Sequence, residues 1–380
     1  MISLPPLTLY MHFPWCIRKC PYCDFNSHKV NDNYNEKQYI QRLKEDLTND
    51  LCHVQERAID SIFLGGGTPS LFSGESMIEL FTFIRQKLDL AKDCEITIEA
   101  NPGAIDSNHF AGYREAGINR ISIGAQSFNP KHLQTLGRIH QDSDIGQAIS
   151  IARYAGFDNI NLDIMYGLPD QTNVEALDDL QQALSLQPTH FSWYQLTIEP
   201  NTVFYKSKPR LPNEDIIDNI ETSGHRLLER HNMHRYEVSA YSLPSRNCRH
   251  NKHYWQYADY LGIGAGAHSK ITYPQDNAVY RYAKVKQPTS YLNKDKSFLA
   301  KKDVVKEEER LFEFMLNALR LFEPISLDLF EVRAGLSRES LIEHLSEPLA
   351  KDLVKLSATH VTTTPRGKRY LNSLQTMFLS

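Results

Sequence analysis

Three thiols stand close together near the start of this chain, as Cys16-Ile17-Arg18-Lys19-Cys20-Pro21-Tyr22-Cys23. Thiolates are soft ligands, and three of them at C-x3-C-x2-C spacing suit zinc or an iron–sulfur cluster. A structural zinc site closes with four ligands. No fourth cysteine lies nearby, so His12, Asp24 or His28 would have to complete it. A [4Fe–4S] cluster fits the pattern better, because three thiolates leave one iron open. S-adenosylmethionine (SAM) can chelate that iron through its amino and carboxylate groups. An electron from the reduced cluster then breaks the sulfonium C–S bond, giving methionine and a 5′-deoxyadenosyl radical. The cofactors carry this chemistry, and the protein supplies position and shielding.

A second group is Cys248-Arg249-His250-Asn251-Lys252-His253-Tyr254-Trp255. Imidazole is a common axial ligand of haem iron, and Tyr and Trp offer flat apolar surface to a porphyrin. The same residues equally suit a helix-start histidine bonded to backbone, with its aromatic neighbours in the core. The small-residue run Gly262-Ile263-Gly264-Ala265-Gly266-Ala267-His268 follows, and it suits close approach of a ligand to the backbone.

The elements that must position these groups alternate. Strand patterns at Leu9–Phe13, Ser61–Leu64, Glu95–Glu99, Arg120–Gly124, Asn159–Met165 and Phe191–Ile198 are separated by amphipathic helical stretches. Repeated βα units imply a parallel sheet with helices outside it. Polar or Gly-rich sequence stands at the strand ends: Gly65-Gly66-Gly67-Thr68, Glu99-Ala100-Asn101-Pro102, Gln126-Ser127, and Asp163. Ligands bind at the carboxyl ends of parallel strands, so these residues are expected to share one mouth. Beyond Pro200, Asn213–Asn232 reads as a helix and Arg235–Tyr241 as a strand. Residues 287–305, polar and Lys-rich, read as a linker or surface loop. The rest is mainly helical, with a small hairpin or wing near Ala358–Val361.

Bulk properties set the frame. The chain has 380 residues, 41% hydrophobic and 23% charged, with a net charge of −4. That supports a sizeable core and argues against disorder. The charge balance gives no reason to expect nucleic acid as a partner. The N-terminal residues lack the pattern of a signal peptide, and no apolar run approaches a membrane span. A tight cysteine cluster suits a reducing compartment, so a soluble cytoplasmic protein is expected.

The cysteine motif resembles that of the radical SAM superfamily. Six stretches extend the resemblance to the oxygen-independent coproporphyrinogen III oxidase family, and within it to the haem chaperone branch. They are residues 9–16, 63–70, 98–103, 124–128, 136–140 and 250–255. The resemblance implies an α/β fold: a partial (β/α)6 radical SAM barrel with a small helical, winged C-terminal domain. Its expected divisions are a barrel at 1–240, an aromatic, His-rich extension at 241–300, and a C-terminal domain at 301–380. It implies a cluster on Cys16, Cys20 and Cys23. It places Tyr10, Tyr22, Gly66, Gly67, Thr68, Glu99, Gln126, Arg138 and Asp163 around SAM, and it brings the small-residue run near that site. His250-Asn251-Lys252-His253-Tyr254-Trp255 resembles the branch's HNxxYW haem motif, with His250 the expected ligand ahead of Cys248 and His253.

One departure separates the branches. The oxidases carry a further cysteine two residues after the third cluster cysteine, where this chain has Phe25. The departure therefore favours a haem chaperone, with a coproporphyrinogen decarboxylase or another radical SAM enzyme as the alternatives, and it leaves productive SAM cleavage open. The expected partners are haem, acceptor haem proteins including membrane-bound ones, and a second copy of the chain in a homodimer. No catalytic residue is assigned.

Overall fold

The computed structural model describes residues 2–30, 34–104 and 107–379. Six strands lie side by side and parallel, in chain order: β1 (Leu7–Phe13), β2 (Ile59–Gly66), β3 (Leu90–Ala100), β4 (Arg120–Gln126), β5 (Asn159–Tyr166) and β6 (His190–Gln195). Helices join them across the outer face: α1 (Glu36–Asp50), α2 (Gly74–Lys87), α3 (Ser107–Glu115), α4 (Pro130–Thr135) with α5 (Asp142–Tyr154), and α6 (Asn173–Ser185). This is the expected partial (β/α)6 barrel. Helix starts are set by local chemistry. The side chains of Asn35, Ser73 and Thr172 accept from backbone N–H groups three residues on, satisfying donors that a first turn leaves free.

Alternation along each strand divides two environments. Ile121, Ile123 and Ala125 of β4, and Ile160, Leu162 and Ile164 of β5, are buried in the main apolar core. Each such side chain contributes roughly 1.5–3 kcal/mol by leaving water. The alternate residues turn inward and are polar. Ser122 donates to Asp163 at 3.0 Å, and Asn161 donates to Ser192 at 3.1 Å.

The sheet continues past both ends of the barrel. After α7 (Val203–Ser207) and α8 (Glu214–Arg230), the short strand β7 (Ala240–Ser242) runs antiparallel to β6 and pairs with His234–Arg235. Residues 235–241 are therefore a hairpin rather than the single strand expected. Buried Glu237 bends them, accepting from the N–H of Ser239 at 3.0 Å. Helix α9 (Arg249–Trp255) leads to β8 (Asp259–Ile263), which pairs parallel with β1. The strands β9 (His268–Tyr273), β10 (Ala278–Lys284) and β11 (Leu299–Val305) then form an antiparallel meander. Residues 287–305 thus hold a short helix, Pro288–Leu292, and an edge strand, not a linker.

A second apolar core forms around α11 (Glu307–Ala318), counting α10 as Pro288–Leu292. It includes Phe314, Phe330, Leu341, Val361 and Leu374. The expected wing is a hairpin of Val354–Leu356 against His360–Thr363. Tyr257, just after α9, belongs to this core and donates to Glu313 at 2.7 Å, tying the two parts together. No helix among the described residues is long and apolar enough to cross a membrane.

Candidate cluster and SAM site

A cavity of about 370 Å3 opens at the carboxyl ends of the barrel strands. Its lining includes Cys16, Cys20 and Cys23, together with Tyr22, Gly66, Gly67, Thr68, Glu99, Gln126, Arg138 and Asp163. The four strand-end stretches do share one mouth. Tyr10 and His250 are not part of it.

The cysteine loop is pinned by backbone. The N–H groups of Gly67 and Thr68 donate to the carbonyls of Phe13 and Trp15, both at 2.7 Å. A Cβ on Gly67 would stand 2.5 Å from the Trp15 carbonyl oxygen, and one on Gly66, at φ +109°, would strike the His12 ring. These glycines let the cysteine loop cross the end of β2. The small-residue run after residue 261 does similar work. Asn26 donates to the carbonyls of Ala265 and Lys286, both at 2.9 Å. A Cβ on Gly264 would meet the His12 carbonyl oxygen at 2.4 Å, and one on Gly266 would meet the Asn26 amide at 2.3 Å. The run does not line the cavity. Its glycines admit the chain's own loop rather than a ligand.

The thiols fit a cluster. Cys16, Cys20 and Cys23 line one cavity together, a set of three soft donors that suits an iron–sulfur cluster. Burial pushes the Cys16 and Cys23 thiols up, against hydrogen bonds from Thr68 and Ser27 respectively. Metal uptake must therefore expel their protons. Arg138 reaches Cys20 Sγ at 3.8 Å and donates to the Gly124 carbonyl at 2.6 Å. Its buried Nε has no protein partner among the described residues, so it has a donor to offer a ligand.

The carboxylates are polar groups with spare acceptors. Glu99 accepts from the N–H of Gly66 at 3.1 Å. Burial and then the charge of Asp163 push its carboxyl up to about 8, against that bond. Burial also raises Asp163, opposed by bonds from Ser192, Asn161 and Ser122. Gln126 holds φ +66° at the end of β4, and its side-chain oxygen accepts from Tyr194 at 2.9 Å. A non-glycine residue there costs on the order of 1 kcal/mol, and the bond to Tyr194 helps hold it. The hydroxyls of Ser122, Ser192 and Tyr194, not singled out from sequence, also line the cavity. Strand alternation from Gly124 and Asp163 marks the two serines' side of the sheet.

Tyr10 lies inside the barrel and does not line the cavity. Its ring stacks on Phe63 at 6.3 Å and its hydroxyl meets His12 Nδ1 at 3.1 Å. His250 lies deeper still. It is only 8% exposed, with Nδ1 3.1 Å from Ser61 Oγ and its ring 5.2 Å from that of Phe63. Burial pushes its pKa down to about 3, so the ring is neutral at pH 7, as metal ligation needs. Cys248 is buried at the start of α9, His253 is half-buried, and Tyr254 is exposed.

A larger cleft of about 1170 Å3 opens beside the cavity and shares Phe25, Tyr194 and Ser239 with it. It lies between the barrel, α8 and the C-terminal segment. Phe25, 59% exposed, faces both spaces.

Residues 10–183 match the model of the radical SAM superfamily, and residues 305–370 match that of the HemN C-terminal domain. The chain is 44% identical over 380 residues to the heme chaperone HemW of Escherichia coli (strain K12), covering all of both chains. It is 45% identical over 384 residues to the Haemophilus influenzae heme chaperone HemW, again covering all of both. Identity to the Bacillus subtilis heme chaperone HemW is 32%, over 97% of this chain and 98% of that one. Among solved structures, coproporphyrinogen III oxidase (HemN) from Escherichia coli, a radical SAM enzyme, superposes with a TM-score of 0.83. It is 21% identical, over 99% of this chain and 90% of that one, a likeness of fold.

Proposed function

Because the chain belongs to the HemW family of heme chaperones within the radical SAM superfamily, we propose that it binds haem and delivers it to acceptor haem proteins, membrane-bound ones among them. End-to-end similarity to heme chaperones is the observation that carries this reading. Phe25, where the oxidases have a cysteine, favours it over porphyrinogen decarboxylation.

Cys16, Cys20 and Cys23 would hold a [4Fe–4S] cluster, and Tyr22, Gly66, Gly67, Thr68, Glu99, Gln126, Arg138 and Asp163 would surround SAM. Together the two cofactors supply one-electron cleavage chemistry when bound. Glu99 and Asp163 would accept from hydroxyl or ammonium groups, and Arg138 would donate through its free Nε. Tyr10 would act on that site from behind, through its neighbour Glu99. His250 would ligate haem iron, which requires α9 to lift from Ser61. The proposed setting is the cytoplasm, with a homodimer as the working assembly. The proposed divisions are 1–240, 241–300 and 301–380.

The test starts from anaerobically reconstituted protein. Wild type is expected to hold about four irons per chain, and Cys16→Ser, Cys20→Ser or Cys23→Ser to lose most of them, while Cys52→Ser keeps them. Haem titration should give a saturable Soret band that weakens in His250→Ala. Absence of saturable haem binding by wild type would overturn the chaperone reading, and an unchanged band in His250→Ala would remove His250 as ligand.

A further inference from the structure

One cation buried inside the barrel stands without a partner. Arg120 opens β4 and is only 2% exposed. Among the described residues its Nε has no hydrogen-bond partner and its guanidinium forms no ion pair. Thr97 of β3, level with it across the ladder, is also buried, and its hydroxyl too lacks a partner among the described residues. Buried polar groups are almost always bonded, and an unpaired buried charge is costlier still. The ionisable groups around Arg120 are Cys248, Glu95, Tyr236 and Asp163, and its charge also reaches His190 and His250. It therefore lies behind the start of α9, among the groups that hold that helix.

Glu95 is the carboxylate that matters here. Ile96 and Ile98 of β3, with Ile121 and Ile123 of β4, belong to the outer apolar core, so Glu95, Thr97 and Arg120 share the inner face of the sheet. Thr97 and Arg120 stand level, which leaves Glu95 one inward position along from Arg120 on the next strand. Strand spacing and rise put their Cα positions roughly 8 Å apart, a gap that two long side chains span together. The Glu95 carboxylate is engaged by α9 instead. One of its oxygens takes the N–H groups of Arg249 and His250 and the thiol of Cys248.

We propose that Arg120 is a positioning residue for haem capture, which receives the Glu95 carboxylate when α9 lifts to free His250. The inference rests on the haem-chaperone reading with His250 as ligand, and adds how the barrel tolerates the departure of that helix. Lifting α9 takes all three donors from Glu95 at once. A buried carboxylate stripped of its partners is strongly destabilising. Arg120 supplies the replacement, and a guanidinium can hold a carboxylate through two parallel bonds. With α9 seated, Glu95 is satisfied and Arg120 is not; with α9 lifted, each satisfies the other. The lone cation thus raises the closed arrangement and the new ion pair lowers the open one. The fraction of protein able to take haem is then larger than a neutral residue at position 120 would allow.

The test measures haem affinity and amide exchange across residues 249–255 on the reconstituted full chain. Both report the open fraction of α9. In Arg120→Met both are expected to fall together, roughly tenfold, so the helix becomes better protected while haem binds less well. Arg120→Lys keeps a cation and is expected to retain most of the affinity. Arg120→Gln, neutral but polar, is read in the same way as the methionine variant and covers misfolding of the latter. In a Glu95→Gln background no carboxylate charge needs a new partner, so adding Arg120→Met should change affinity less than about twofold. Faster exchange at α9 in Arg120→Met would overturn the inference, because Arg120 would then be supporting the seated helix. Unchanged haem affinity in the neutral variants would also overturn it while the chaperone reading stands. If wild type does not bind haem saturably, the chaperone reading fails and the inference with it.

Discussion

Glu95 is the residue whose removal should most disturb the segment carrying the haem-motif residues. It sits on β3, level with Ser61 of β2 and only 9% exposed. One carboxylate oxygen accepts from the N–H of Arg249 at 2.9 Å, the N–H of His250 at 3.1 Å and the Cys248 thiol at 3.5 Å. Helix α9 has no side-chain cap of its own, so a strand residue from the barrel supplies one. A seven-residue helix has little intrinsic stability, and its N-terminal donors favour a negative partner. Glu95→Ala deletes two charge-assisted bonds to backbone and strands those N–H groups in the interior. At roughly 1.5–3 kcal/mol per bond the loss is about 3–6 kcal/mol. Glu95→Gln keeps an acceptor and loses the charge, for a cost of about 1–2 kcal/mol.

Urea unfolding of the two variants measures the total, and amide exchange across residues 249–255 locates it. Exchange there should accelerate most in Glu95→Ala, and haem affinity should change in the same order as exchange. The exposed pair between Arg249 and Asp93, at 2.7 Å, makes the control: Asp93→Ala should leave both readouts near wild type. A Glu95→Ala protein with less than about 1 kcal/mol of lost stability and unchanged exchange at α9 would refute the capping role.

Gly67→Ala forces a methyl group against the Trp15 carbonyl, so it should shift the cysteine loop, destabilise the fold by roughly 1–3 kcal/mol, and lower iron content after reconstitution; full iron content would show that the loop yields without losing its geometry. His250 gives a pH signature in haem-free protein. Its folded pKa of about 3 lies below the unfolded value near 6.5, so its contribution is intact above pH 6.5 and is lost as pH falls toward 3. Between pH 7 and pH 5 wild type should lose about 2 kcal/mol more than His250→Gln in urea titrations, and parallel curves for the two proteins would mean the ring is more open than its packing implies.

The barrel was legible in the sequence because its strands combine apolar outer positions with polar ends. Gly66, Glu99, Gln126 and Asp163 each close or occupy a β-strand, and parallel topology then brings them to one mouth. Where the reading differed, the reasons are local. The strand Leu299–Val305 is exposed along nearly its whole length, so no apolar alternation announces it, and Lys301 and Lys302 suit an unpaired edge. Residues 235–241 have strand composition, and only the inward turn of Glu237 makes them a hairpin. The glycines were read for ligand approach, yet Gly67 also admits the backbone of Phe13 and Trp15, Gly264 that of His12, and Gly266 the Asn26 side chain. A single sequence says that a position must be small, not what presses on it. The larger cleft was invisible for a related reason: Arg235, Phe322 and Lys368 are far apart in the chain and meet only when the second core docks.

The polar interior of the barrel explains how a cavity at one end and a buried helix start at the other share one framework. Parallel barrels are commonly filled by branched apolar side chains. Here a hydrogen-bonded chain runs through instead. Asn161 donates to Asp163 at 2.8 Å, and its carbonyl meets His190 Nδ1 at 2.6 Å. His190 Nε2 meets the Tyr236 hydroxyl at 2.8 Å, and that oxygen accepts from the N–H of Cys248 at 3.1 Å. The Asn161 side-chain oxygen can only accept, so Nδ1 of His190 carries the proton and donates to it. In the neutral ring Nε2 is then left to accept from the Tyr236 hydroxyl. Burial holds His190 well below its ordinary pKa, so this neutral tautomer is the one the site keeps. Every bond has one direction, set from the helix that carries His250 through to a carboxylate of the cavity. A ligand that draws on Asp163 therefore competes with Asn161 and Ser122, which donate to its two carboxylate oxygens.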